Sequence, residues 1–179
     1  QEPMVQTLEN AFETGRIAQA WMLTGVRGVG KTTTARILAR GLNYEVPGEV
    51  DKPTVKLTQE GSHCRAIMEG RHVDVIEMDA ASHTGINDIR EITDAARYRP
   101  ATARYKVYII DEVHMLSTAA FNGLLKTLEE PPEHVKFIFA TTEIRKVPVT
   151  VLSRCQRFDL RRIEQPKLTG LLRRISDAE

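Results

Sequence analysis

Apolar residues recur at helical spacing through Met4, Val5, Leu8, Ala11 and Phe12 up to Gly15, which predicts a short amphipathic helix. Ala20 to Thr24 (AWMLT) is a brief apolar run of strand length that ends in a glycine-rich turn. Thr32 to Leu42 then places Ala35, Leu38, Ala39 and Leu42 on one face, the stripe of a second helix, which Gly41 and Asn43 weaken at its end. From Tyr44 to Glu60 two prolines and scattered charges break any period, so this stretch reads as a loop or small insertion. Beyond it the pattern alternates. Cys64 to Met68 predicts a short helix, Val73 to Met78 a strand, Ile86 to Tyr98 a helix, Lys106 to Ile110 a strand, Thr118 to Leu128 a helix and Val135 to Ala140 a strand. Arg157 to Leu160 would be a last strand and Lys167 to Ile175 a last helix. Strands this apolar on both faces suit a parallel sheet covered by helices on each side, with all strand C-terminal ends on one edge, where ligands bind.

Composition narrows the class without naming a partner. The 179 residues are 41% hydrophobic and 27% charged, enough for one core and incompatible with a disordered or collagen-like chain. With 25 basic against 24 acidic residues the formal charge is +1, so any anionic partner has to be gripped by a local cluster. No apolar run approaches a membrane span and Gln1-Glu2-Pro3 opens no signal-like segment, so a soluble, cytoplasmic protein with no membrane partner is expected. The absent initiator Met suggests a piece of a longer chain. Cys64 and Cys155 are expected to be free thiols in a reducing compartment.

Gly25-Val26-Arg27-Gly28-Val29-Gly30-Lys31-Thr32 matches G-x-x-x-x-G-K-[ST], after a predicted strand and at the start of a predicted helix. In that setting glycines let backbone N–H groups surround a phosphate, the helix N-terminus (Thr32, Thr33) adds partial positive charge, Lys31 reaches the β and γ phosphates, and the Thr32 hydroxyl can ligate Mg²⁺. The run Val107 to Ile110 ends in Asp111-Glu112, a Walker-B-like pair in which Asp111 would hold Mg²⁺ and Glu112 would polarise an attacking water. A Mg²⁺-bound nucleoside triphosphate is therefore the expected ligand. The strand Phe137 to Ala140 turns polar at Thr141-Thr142, where Thr142 either touches the γ phosphate or its water, or serves a turn. Arg154, in Ser153-Arg154-Cys155, is either a surface arginine or a cation aimed at a γ phosphate; spacing alone does not choose.

Taken in order, Gly25 to Thr32, Asp111-Glu112-Val113-His114, Phe121 to Pro132 (FNGLLKTLEEPP), Ala140-Thr141-Thr142 and Ser153-Arg154-Cys155 closely resemble the clamp-loader branch of the AAA+ ATPases, over essentially all 179 residues. The resemblance implies a P-loop NTPase of three-layer α/β architecture, a central parallel sheet with helices on both faces. It implies a nucleotide-binding domain over residues 1–160 and, over 161–179, the start of a connection to a helical domain. By resemblance Thr142 is the sensor threonine and Arg154 an arginine finger reaching the ATP of a neighbouring subunit. The implied activity is ATP-driven loading of a sliding clamp onto primed DNA, with partner subunits in a hetero-oligomeric ring and a replicative polymerase core contacted through regions beyond residue 179. A fragment of this kind alone would be a poor ATPase.

Family members usually carry a segment before the first helix that helps hold adenine, and many hold structural zinc with four cysteines. The matching positions here are Tyr44, Thr58, Gly61 and Cys64, so no zinc is expected; His63 and His72 read as exposed loop residues, and the loop as held by packing. Two other readings compete. A nonhydrolysing subunit of the same ring would lose the nucleotide residues, which are intact, and another AAA+ motor, such as a Holliday-junction machine, would carry different elements in place of Thr118 to Pro132.

Overall fold

The computed structural model describes residues 2–162 and 165–178. Its elements run α1 (Glu2–Thr14), β1 (Ala20–Thr24), α2 (Lys31–Leu42), α3 (Cys64–Met68), β2 (Val75–Asp79), α4 (Ile86–Ala95), β3 (Lys106–Asp111), α5 (Thr118–Glu129), β4 (Val135–Thr141), α6 (Val149–Leu152), β5 (Gln156–Asp159) and α7 (Gln165–Ala178). Single 3₁₀ turns follow β3 and β4, at Val113–Met115 and Ile144–Lys146. The sheet order is β2-β3-β4-β1-β5 and every pairing is parallel.

Alternation along the strands builds the two sides of the core. In β1, Ala20 and Met22 join Tyr108, Ile110, Phe137 and Phe139 under α4 and α5, whose Ile89, Ile92, Phe121, Leu124 and Leu128 complete that layer. Trp21 and Leu23 face the other way and pack with Val107, Ile109 and Ile138 against Met4 and Leu8 of α1 and Ala35, Leu38 and Leu42 of α2. Each large apolar side chain buried this way contributes about 2 kcal/mol. The result is the three-layer α/β sandwich expected. Among the described residues no helix is long and apolar enough to cross a membrane.

Element ends differ from the sequence pattern where long-range polar bonds intervene. The second strand starts at Val75, not Val73, because the fully buried Asp74 turns aside to accept the amides of Ala101, Thr102 and Ala103 and the Thr102 hydroxyl. Burial pushes this carboxyl up, yet those donors together hold it below its ordinary range. The fourth helix stops at Ala95, leaving Tyr98 exposed beyond it.

The segment after α2 departs most from expectation. Tyr44 is buried, and its phenol donates to the Gln59 carbonyl at 2.9 Å while accepting the Gln59 N–H at 3.0 Å. Gly61 packs so closely that a Cβ there would lie 2.9 Å from the Glu45 carbonyl oxygen. His63 and His72 are not exposed loop residues: their side chains are largely buried, linked by a 2.8 Å bond between His72 Nε2 and His63 Nδ1. The Asp74 N–H donates to His72 Nδ1, so Nε2 carries the His72 proton; His63 Nδ1 accepts it, and His63 Nε2–H meets Glu45 Oε2 at 3.1 Å. A directed chain of hydrogen bonds, not packing alone, closes this loop, and it suits neutral imidazoles only. Among the described residues no group of three or more His, Cys, Asp or Glu side chains is arranged to hold a metal.

That chain predicts an acid-sensitive stability. Burial, then the neighbouring His63, lowers the His72 pKa, with Asp74 opposing in part. Below the ordinary value of about 6.5 the unfolded chain takes up a proton that the folded chain refuses, so stability falls as pH drops from there toward the depressed folded value. Melting temperatures between pH 8 and 5 should show this decline, and His72→Gln should flatten it; parallel curves for the two proteins would refute the assignment.

Candidate functional site

Parallel pairing brings the C-terminal ends of β1, β4 and β3 side by side, with Thr24 opposite Thr141 and Ile110 opposite Phe139. The loop after β1 is fixed at its root. Gly25 N–H donates to the Thr141 carbonyl at 3.3 Å, and a Cβ at Gly25 would stand 2.8 Å from Val29 Cγ1 and 2.9 Å from the Leu160 oxygen, so only glycine fits. Gly28 and Gly30 have φ of 82° and 98°, the left-handed region that side chains resist. Because residue 30 caps α2 without a side chain, the first amides of that helix have no side-chain acceptor.

Lys31, the first residue of α2, is buried, and its ammonium donates to the carbonyls of Gly25 at 2.9 Å and Val26 at 3.0 Å. The side chain thus closes the loop on itself. Val26, Arg27 and Thr33 are exposed, and Val29 is half-buried. The Thr32 hydroxyl lies 3.4 Å from Asp111 Oδ2, across from the end of β3. Asp111 Oδ1 accepts the Glu112 N–H at 2.9 Å, and Glu112 takes φ 50° and ψ 44°, the one positive φ outside glycine among the described residues. Holding it there costs on the order of 1–2 kcal/mol, which marks this turn as a place where geometry outranks comfort. Thr142 completes the group, its hydroxyl donating to Glu112 Oε2 at 3.1 Å.

The structure therefore gathers Gly25, Lys31, Thr32, Asp111, Glu112 and Thr142 at one sheet edge. Uncapped helix amides, a buried lysine held only by carbonyls, and a hydroxyl paired with a carboxylate form a donor set that fits a nucleotide phosphate chain and a hard divalent cation. Arg154 stands apart from these residues in its contacts. Its guanidinium donates to the Thr150 carbonyl at 2.8 Å and to Glu129 Oε1 at 3.1 Å, and its side chain is 35% exposed.

Three neighbours of the site carried no role in the sequence reading. His114, on the 3₁₀ turn after β3, is almost fully buried; its Nδ1 is 2.8 Å from Thr141 Oγ1, and its Nε2 is 3.3 Å from Oε2 of both Glu112 and Glu143. The available signal was one polar residue among Val113, Met115 and Leu116, directly after the acidic pair.

The family model for "DNA polymerase III, delta subunit" matches residues 1–164. The chain belongs to this family. It is similar to gamma/tau subunits: it is 50% identical over 179 residues to DNA polymerase III subunit tau of Bacillus subtilis and 49% identical over 181 residues to that of Escherichia coli, in each case across 100% of this chain. It spans 31% and 27% of the length of those relatives. DNA polymerase III subunit gamma of Buchnera aphidicola (Schizaphis graminum) is 49% identical over 98% of this chain and 47% of its own length. Among solved structures, the RuvB Holliday junction branch migration motor of Thermotoga maritima has a TM-score of 0.63 at 18% identity, covering 99% of this chain and 49% of that one. A DNA polymerase III gamma subunit-related protein of the same organism has a TM-score of 0.57 at 21% identity, over 90% and 47%. These two likenesses place the chain in the AAA+ fold.

Proposed function

We propose that this chain is the nucleotide-binding unit of an ATP-hydrolysing motor subunit in the DNA polymerase III clamp loader, which places a sliding clamp on primed DNA. The observation that carries the reading is the meeting of the phosphate loop with the acidic strand end, Thr32 Oγ1 to Asp111 Oδ2 at 3.4 Å, with Thr142 on Glu112 beside it. Residues 1–160 form this unit and 161–179 begin the connection to a further domain. The protein works in the cytoplasm within a ring of partner subunits.

Lys31 would leave the Gly25 and Val26 carbonyls for the β and γ phosphates, since a charge-assisted bond to phosphate is stronger than one to a neutral carbonyl. Amides of the loop and of the first turn of α2, which no side chain caps, would surround the phosphates. Thr32 and Asp111 would hold Mg²⁺, which when bound supplies charge neutralisation on the phosphates. Glu112 takes a proton from the attacking water, and Thr142 orients that water or the γ phosphate. Arg154 is offered to the nucleotide of the next subunit. The intact lysine, threonine and two carboxylates argue against a nonhydrolysing role.

ATPase activity of the full-length protein in its assembled ring, with and without clamp and primed DNA, tests the reading: stimulation by both is expected. Lys31→Ala should lower ATP affinity about a hundredfold or more, the worth of its charge-assisted bonds to two phosphates. Titration with a fluorescent ATP analogue measures it, and unaltered affinity would remove the loop from the site.

A further inference from the structure

If Glu112 activates water, one carboxylate oxygen must face that water while the other is held, and the surrounding residues say which. Thr142 donates to Oε2 at 3.1 Å, and His114 Nε2 stands 3.3 Å from the same oxygen. Both contacts fall on Oε2, which leaves Oε1 to receive the proton. His114 itself is tightly placed, with a side chain only 3% exposed, so its polar atoms need partners inside the protein. Nε2 faces two carboxylate oxygens, which only accept, and therefore carries the ring proton. Thr141 Oγ1 already accepts the Glu143 N–H at 3.0 Å and, 2.8 Å from Nδ1, gives its own hydrogen to the ring.

We propose that His114 is a positioning residue, whose Nε2–H anchors Glu112 through Oε2 and keeps the base aimed when the Thr142 hydroxyl turns to the nucleotide. The proposal rests on the ATP-hydrolysis reading. Glu143, at the same 3.3 Å, is the second acceptor of the one N–H, and it is drawn outward by Lys146, whose Nζ is 3.0 Å from the same Glu143 oxygen. With Glu143 satisfied by that lysine, the imidazole can tighten on Glu112 as Thr142 departs. Thr141, buried at the end of β4, sets the ring orientation from behind, so the adjacent residues 141 and 142 supply the brace of the imidazole and the hydroxyl that it replaces.

The test uses the full-length subunit in its assembled ring. His114→Phe keeps a ring of similar volume without a donor and should lower kcat about tenfold to a hundredfold, the cost of a misaimed reacting group. ATP affinity should stay within about twofold, because the loss falls on the transition state and not on binding. His114→Gln returns an N–H donor and should recover part of the rate. Thr141→Val should lower kcat less, and in the full-length chain the ¹⁵N-histidine spectrum should show His114 protonated at Nε2 in wild type and a changed tautomer balance in the variant. Wild-type kcat in His114→Phe, a glutamine variant no faster than the phenylalanine one, an equal loss of ATP affinity, or a bare Nε2 would each overturn the proposal. If Glu112→Gln itself keeps wild-type turnover, the hydrolysis reading fails and this one with it; if Glu112→Gln is inactive while His114→Phe is normal, the positioning role alone fails.

Discussion

Replacing Arg154 by alanine is expected to cut ATP turnover of the assembled ring about a thousandfold or more, the scale on which a trans-acting arginine works in related GTPases. Affinity of each subunit for ATP should change little. The reason lies in where charge develops. In the proposed site Lys31 and the loop amides would cover one side of the phosphate chain and the opposite side would need a further cation; Arg154 itself is engaged by Thr150 and Glu129. That engagement is weak enough to exchange: an ion pair with side chains 35% and 51% exposed is screened by water and worth at most about 1 kcal/mol. On the proposed reading, a desolvated phosphate in a neighbouring subunit would displace it. Rings assembled from Arg154→Ala subunits mixed with Lys31→Ala subunits should recover turnover only at interfaces where an intact arginine meets an intact loop. Wild-type turnover in rings built only from Arg154→Ala subunits would make Arg154 a structural residue of the Glu129 contact.

The two carboxylates at the end of β3 should separate in their effects. Glu112→Gln is expected to bind MgATP normally and lose turnover about a hundredfold to ten-thousandfold, the contribution of a general base. Asp111→Asn should instead weaken Mg²⁺-dependent binding, because an amide beside the Thr32 hydroxyl replaces an anionic ligand with a neutral one. The backbone makes the division plausible: Asp111 ends the strand and faces α2, whereas the left-handed turn at Glu112 swings the next side chain toward β4 and Thr142. Equilibrium binding with and without Mg²⁺, followed by single-turnover kinetics, separates the two. Identical phenotypes would refute the assignment.

Much of this arrangement was readable from local pattern. The first strand and the short helix at Cys64 begin and end where the apolar runs do, because each is bounded by glycine or polar residues and filled by side chains the core needs. The phosphate loop was legible because its chemistry depends on backbone shape, which consecutive glycines announce. What stayed hidden depends on partners distant in sequence. Val73 looks like strand but is 64% exposed, since its neighbour Asp74 serves amides 27 to 29 residues away. His63 and His72 read as solvated because nothing local reveals that they meet each other under Glu45. His114 and Thr142 could be identified as polar, but their convergence on one oxygen of Glu112 is a property of strand register.

The two thiols have a practical consequence for watching such a ring at work. Cys64 is buried, and burial pushes the Cys155 thiol up to about 12 while its Sγ–H donates to the Val151 carbonyl at 3.3 Å. Alkylating reagents need an accessible thiolate: the Cys155 thiol stays protonated near neutral pH, and Cys64 is shielded by its burial. The unit thus supplies a chemically silent background for site-specific labels. Val149, 77% exposed on the same short helix whose carbonyl at residue 150 holds Arg154, is a natural place for a single introduced cysteine. A fluorophore there would sit beside the arginine without replacing it, and, if Arg154 faces a neighbouring subunit as proposed, energy transfer to a dye on that subunit would report their separation during turnover.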